Sequence, residues 1–76
     1  MIITVKLTGL LAGAAGFKEK NMEIDEGRTA GDVFSQLALP VNAQWTRISI
    51  NNKIAAKTQK LQDKDSILFF PAGGGG

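Results

Sequence analysis

The alternation of apolar and polar positions organises this chain from its first residues. In residues 2–8, Ile3, Val5 and Leu7 fall on one side and Thr4, Lys6 and Thr8 on the other. That is the period-2 pattern of a strand with one buried face. Residues 9–16, GLLAGAAG, carry no such period and read as a small-residue connection in which Leu10 and Leu11 tuck against the core. Residues 17–25 alternate again, less cleanly, with Phe17, Glu19, Asn21 and Glu23 opposed to Lys18, Lys20, Met22 and Ile24. An antiparallel partner strand is expected there, exposed at a sheet edge where its lysines discourage pairing with another chain.

The period then lengthens. Glu26-Gly27 marks a turn, and Thr29 and Asp32 stand at capping-box spacing, with Asp where Glu or Gln is usual. Ala30, Val33, Phe34, Leu37 and Ala38 share one helical face. This predicts a single main helix, ended by Leu39-Pro40 because proline disfavours helical geometry in the residue before it. Residues 45–50 return to alternation, Thr46, Ile48 and Ile50 against Trp45, Arg47 and Ser49. Asn51-Asn52 signals a tight hairpin turn, since asparagine tolerates positive φ, and residues 54–56 come back as a short strand. Leu61, Asp63 and Asp65 lead into an apolar run, Ile67 to Phe70, that stops at Pro71.

The expected core is Ile3, Val5, Leu7, Val33, Phe34, Leu37, Ile48, Ile50, Ile67 and Phe69. If Ile67 and Phe69 face the helix, alternation turns Leu68 and Phe70 to the opposite face, beside Arg47. One helix covers one face of a sheet and leaves the other to solvent or a partner. With the first and last strands adjacent at the centre, the order strand, strand, helix, strand, short strand, strand is the β-grasp arrangement. The predicted fold is therefore α+β and ubiquitin-like, a mixed sheet of four to five strands with one main helix on one face.

Composition removes most other possibilities. A chain of 76 residues makes one domain, burying only about 60% of the surface its unfolded form exposes. It divides by expectation into a folded part, residues 1–71, and a flexible glycine tail, residues 72–76. With no cysteine and no histidine, thiolate nucleophiles, imidazole bases, disulfides and the usual zinc ligands are excluded, and no metal site is expected. Nine Lys and Arg against seven Asp and Glu are scattered along the chain, which gives little support for a nucleic-acid partner. The start of the chain does not have the form of a signal peptide. No apolar stretch approaches the roughly 20 residues that span a bilayer, so no membrane partner is expected, and the lack of cysteine is compatible with a cytoplasmic location. The glycines of residues 9–16 resemble a phosphate loop only superficially, because Gly16 is followed by Phe17 and Lys18 instead of a Lys-Ser/Thr pair.

The remaining chemistry lies in Gly73, Gly74, Gly75 and Gly76. Glycines weaken a fold through their backbone entropy, and a run of them suits a thread that must bend or enter a narrow channel. Extended, residues 72–76 reach roughly 17 Å at about 3.4 Å each. Without Cβ atoms such a thread fits where any side chain would clash, and it presents a carboxylate that a partner enzyme can activate.

At Leu61-Gln-Asp63-Lys-Asp65-Ser-Ile67-Leu-Phe69-Phe70-Pro71 the sequence resembles the MoaD/ThiS family of ubiquitin-like sulfur carriers. That family ends in a leucine, an Asp-Gly-Asp turn, an apolar strand often written Phe-Phe-Pro, and Gly-Gly a few residues later. Phe69-Phe70-Pro71 is more similar to the small subunit of molybdopterin synthase than to the thiamine-pathway carrier. The sequence departs from the pattern at Lys64, which replaces the glycine of the turn and predicts an altered turn there. Ala72 replaces a second proline, and Gly73 and Gly74 replace larger residues.

The resemblance implies a carrier protein or non-catalytic subunit that binds no cofactor itself. An ATP-using adenylyltransferase of the MoeB/ThiF kind would activate Gly76, and sulfur would then convert it to a thiocarboxylate. Glycines 73, 74 and 75 would thread into partner active sites, and Phe70, Leu68, Arg47 and Pro71 would dock on partners, among them a MoaE-like synthase large subunit. The alternatives are a thiamine-pathway carrier, a protein modifier joined through Gly76 to lysines, and an interaction module with an inert tail. Ferredoxins of this fold need four cysteine ligands and are excluded.

Overall fold

The computed structural model describes residues 1–41 and 43–72, Ala43 by its backbone alone. Its elements are β1 (Ile2–Leu7), α1 (Gly9–Ala15), β2 (Glu19–Glu23), α2 (Ala30–Leu37), a 3-10 turn (Ala43–Trp45), β3 (Thr46–Ile50), β4 (Lys53–Ala55) and β5 (Ser66–Pro71). The strands form one five-stranded mixed sheet in the order β2-β1-β5-β3-β4. β1 and β5 are parallel neighbours at its centre, and the other pairings are antiparallel. This is the expected α+β, β-grasp architecture.

The core lies on one face of that sheet. Ile3, Val5, Leu7, Ile48, Ile67 and Phe69 point into it and meet Ala30 and Val33 from α2. Phe34, Leu37 and Ile50, expected in the core, are only partly buried against it. The Phe34 ring packs on Phe69 with centroids 5.4 Å apart. Leu11, Ile24 and Leu61 complete the core. α2 starts with the expected capping box: Thr29 Oγ1 accepts from the Asp32 N–H at 3.2 Å, and an Asp32 carboxylate oxygen accepts from the Thr29 N–H at 2.9 Å.

Three local expectations need correction. Residues 9–16 are not an irregular connection, because α1 forms there and ends on Gly16 in the left-handed region at φ 83°, whose N–H donates to Ala12 C=O. The helix buries Leu11 and leaves Leu10 80% exposed, since neighbours in a helix point about 100° apart. α2 stops before Leu39-Pro40, with Ala38 left-handed at φ 52° and exposed. Lys64 does not alter its turn but adopts the left-handed geometry itself, at φ 70°.

That strained turn is held from several sides. Lys64 N–H donates to Ile2 C=O at 2.7 Å and Asp63 Oδ1 accepts from Ile2 N–H at 2.8 Å. Asp65 accepts from Gln62 N–H at 2.7 Å and from the Asn51 side chain at 2.9 Å. Asn51 and Asn52, at φ 51° and 70°, form the two-residue turn between β3 and β4 with the type I′ signs that match strand twist. The 62–65 turn and the hairpin thus share Asn51 and Asp65, fixing where β5 begins.

Candidate functional site

β5 carries the site because its two faces do different work. Ile67 and Phe69 have no exposed surface, whereas Leu68 and Phe70 are half-buried on the face away from α2. On that face Phe70 pairs across the ladder with exposed Arg47, and Leu68 lies between Lys6 of β1 and Ser49 of β3. Leu68, Phe70 and Arg47 are therefore one cluster, as the alternation predicts. Lys6, Ser49 and Thr4 make its surroundings polar, and the Thr4 hydroxyl donates to Asn21 at 3.0 Å. Arg47 forms no ion pair among the described residues, whose one salt bridge joins Arg28 to Asp25 at 3.7 Å on a distant loop.

Pro71 closes β5 opposite Thr46, a place where a missing N–H costs no interior ladder bond. Ala72, the first residue of the expected tail, donates its N–H to Trp45 C=O at 2.6 Å. The start of α1 lies on the other flank, where a Cβ built on Gly9 would stand 3.8 Å from Pro71 Cγ. Gly73, Gly74, Gly75 and Gly76 lie outside the described residues.

The described residues contain no cluster of three or more acidic, cysteine or histidine side chains able to hold a metal. No helix among them is long and apolar enough to cross a membrane. Hydrogen bonds from Thr29 N–H and hydroxyl hold the Asp32 carboxyl below its ordinary pKa. It caps a helix and lies away from β5. What the face offers is an apolar pair, Leu68 and Phe70, beside the Arg47 cation on the last described strand.

Sequence reasoning did not find the exposure of Leu10 and Ile54, whereas alternation does set Trp45 on the face opposite the core, where it is exposed. The signal for Leu10 was the spacing of Leu11 and Ala15, which are four residues apart as on one helix face. Trp45 belongs to the 3-10 turn, not to the strand expected over residues 45–50, which starts at Thr46.

A β-grasp sheet with a central C-terminal strand leading to a glycine run defines a ubiquitin-like carrier or modifier. The ThiS family model matches residues 5–76, and the chain belongs to that family, whose members are small carrier proteins of the ThiS/MoaD type. No curated protein sequence matches it significantly. Its fold is similar to the crystal structure of SAMP1 from Haloferax volcanii, at 24% identity and a TM-score of 0.82, with 100% of both chains covered. It is also similar to a putative molybdopterin converting factor subunit 1 from Pyrococcus furiosus, at 18% identity and a TM-score of 0.79, covering 95% of this chain and 98% of that one. Urm1 of Sulfolobus solfataricus is 25% identical with a TM-score of 0.64, covering 90% of this chain and 97% of its own.

Proposed function

We propose that this protein carries sulfur as a thiocarboxylate on Gly76 for molybdopterin synthesis, a reading supported by its Phe69-Phe70-Pro71 ending. The observation that carries the reading is that the ThiS family match runs through Gly76 on a chain whose β5 opens Leu68 and Phe70 to the helix-free face.

The chemistry follows from a weakness of carboxylates. A carboxylate is a poor electrophile until one of its oxygens becomes part of a good leaving group. An adenylyltransferase of the MoeB/ThiF kind supplies ATP: the Gly76 carboxylate attacks the α-phosphorus, pyrophosphate leaves, and an acyl-adenylate remains. Hydrosulfide attacking that carbonyl carbon expels AMP and leaves the thiocarboxylate. If the donor is a persulfide, an acyl disulfide forms instead, and a second thiol cleaves it to the same product. A MoaE-like subunit then takes the sulfur. In this reading the protein binds no cofactor, residues 72–76 are the tail, Gly73 to Gly75 thread, and Phe70, Leu68, Arg47 and Pro71 dock.

The test is a variant with one residue added after Gly76. It should melt with the parent and accept no adenylate from the activating enzyme. Adenylation of the extended chain without prior trimming would refute the reading. Recovery of isopeptide conjugates to lysines, in place of thiocarboxylate, would move the assignment to the modifier.

A further inference from the structure

α2 and β3 leave a gap on the core side of the sheet. β4 pairs with Ile48, Ser49 and Ile50, so the start of β3 runs past it with no strand beside it there among the described residues. After β4 the chain turns to the start of α2, where Gly31 N–H donates to Lys57 C=O at 2.8 Å. A Cβ built on Gly31 would stand 3.2 Å from that oxygen, so a glycine is what lets the loop come so close. Between this loop, α2 and β3 lies a cavity of about 260 Å³, lined by Asp32, Phe34, Ser35, Thr46, Ile48 and Lys57 among others. Thr46 is the residue that does not suit a plain core. Alternation turns it to the same side as Ile48, toward α2, and it is 8% exposed. Its hydroxyl oxygen is buried with no hydrogen-bond partner among the described residues. An orphaned buried hydroxyl lowers stability, and a valine of the same shape would avoid the loss.

We propose that this cavity binds a free apolar α-amino acid of about the size of leucine, with Lys57 and the Thr46 hydroxyl donating to its carboxylate, Asp32 accepting from its ammonium group, and Phe34 and Ile48 covering its side chain. Size and charge select this class. Pockets for drug-sized molecules run to about 300–1,000 Å³, so a cavity of about 260 Å³ takes something smaller. Asp32 and Lys57 are both exposed, and neither is in an ion pair, since the one salt bridge among the described residues joins Arg28 to Asp25. A simple carboxylate would meet the like charge of Asp32, and a simple amine that of Lys57. The zwitterion offers each of them its opposite. Exposed charges contribute little affinity, so most of the binding comes from the apolar side chain leaving water against Phe34 and Ile48 and from the partner supplied to the Thr46 hydroxyl. A threonine hydroxyl and methyl exchange places by rotation between staggered χ1 wells, which lets Thr46 turn its oxygen to a ligand. The site lies on the opposite face of the sheet from Leu68 and Phe70 and makes no use of Gly76, so it is independent of the carrier reading.

The test is an NMR titration of the full chain with leucine, read from the backbone amides. Saturable shifts should appear at Gly31, Phe34, Ser35, Thr46, Ile48 and Lys57. Three fragments of the ligand should each bind at least about threefold more weakly: 4-methylpentanoate, which lacks the ammonium group, isoamylamine, which lacks the carboxylate, and glycine, which lacks the apolar side chain. Thr46→Val should melt no lower than the parent, because the orphaned hydroxyl is gone, and yet bind leucine about fivefold more weakly. Thr46→Ser keeps the hydroxyl and should bind more tightly than Thr46→Val. Lys57→Met, at an exposed position, should leave melting unchanged and weaken leucine about threefold. The absence of a saturable shift at any soluble leucine concentration overturns the site. So does binding of any fragment as tight as that of leucine, or unaltered binding in either Thr46→Val or Lys57→Met. A Thr46→Val variant that melts well below the parent while leucine gives no shift would assign the hydroxyl to a buried water, and the site falls with it.

Discussion

Phe69 and Phe70 are neighbours of identical chemistry with opposite assignments, because successive strand residues face opposite sides of a sheet. Phe69 has no exposed surface and packs on Phe34. Phe69→Ala should cost about 3–5 kcal/mol, much of what a small domain has. Phe34→Ala should cost less, since Phe34 is only partly buried; thermal melts that reverse this order would contradict the packing. Phe70→Asp should instead keep most of the melting temperature and weaken partner binding, so the two must be measured separately. A collapse of stability would make Phe70 a core residue, and unchanged binding would make the outer face idle. Lys64 offers a third check. A side chain held in the left-handed region costs about 1–2 kcal/mol, so Lys64→Gly should raise stability by up to about 1 kcal/mol after glycine's own entropy cost. A fall would show that the lysine side chain supports the turn.

At the scale of elements, α2 stands on its cap. Thr29→Ala should cost about 1 kcal/mol, within the usual range for a lost N-cap. Its partner Asp32 has a lowered pKa because the Thr29 N–H and hydroxyl stabilise the charged form. A carboxyl depressed in the folded state contributes stability above its unfolded pKa and loses it as pH falls through the folded pKa. Asp32→Asn should therefore lower stability at neutral pH, change it little in acid, and so flatten part of the acid limb of the stability curve. An unchanged acid limb in urea melts across pH would contradict this. The cap was legible because Thr29 and Asp32 carry their signal within four residues, and the Asn51-Asn52 turn was legible for the same reason. α1 was not. With Gly9 and Gly13 inside it and no N-cap side-chain bond, its local propensity is poor. It forms because tertiary packing buries Leu11, which no local pattern announces.

At the scale of the whole molecule, the fold follows from placing the last strand beside the first. That arrangement gives the C-terminal strand a neighbour on each side and directs residue 72 out of the sheet centre. Alternation along β3 and β5 was enough to place Leu68, Phe70 and Arg47 together, because both strands are regular. The flanks of the tail root were not legible, since the start of α1 and the 3-10 turn are brought there by the parallel and antiparallel neighbours of β5. Delivery of a chain terminus is the work these features fit, and sulfur on Gly76 is the central claim. The most direct measurement is the intact mass of the protein purified from its own host. The account predicts a species heavier than the free chain by the difference between one sulfur and one oxygen, located at Gly76 by fragmentation. A population carrying only the oxygen carboxylate, with the remainder bound through Gly76 to lysines of other proteins, would contradict it.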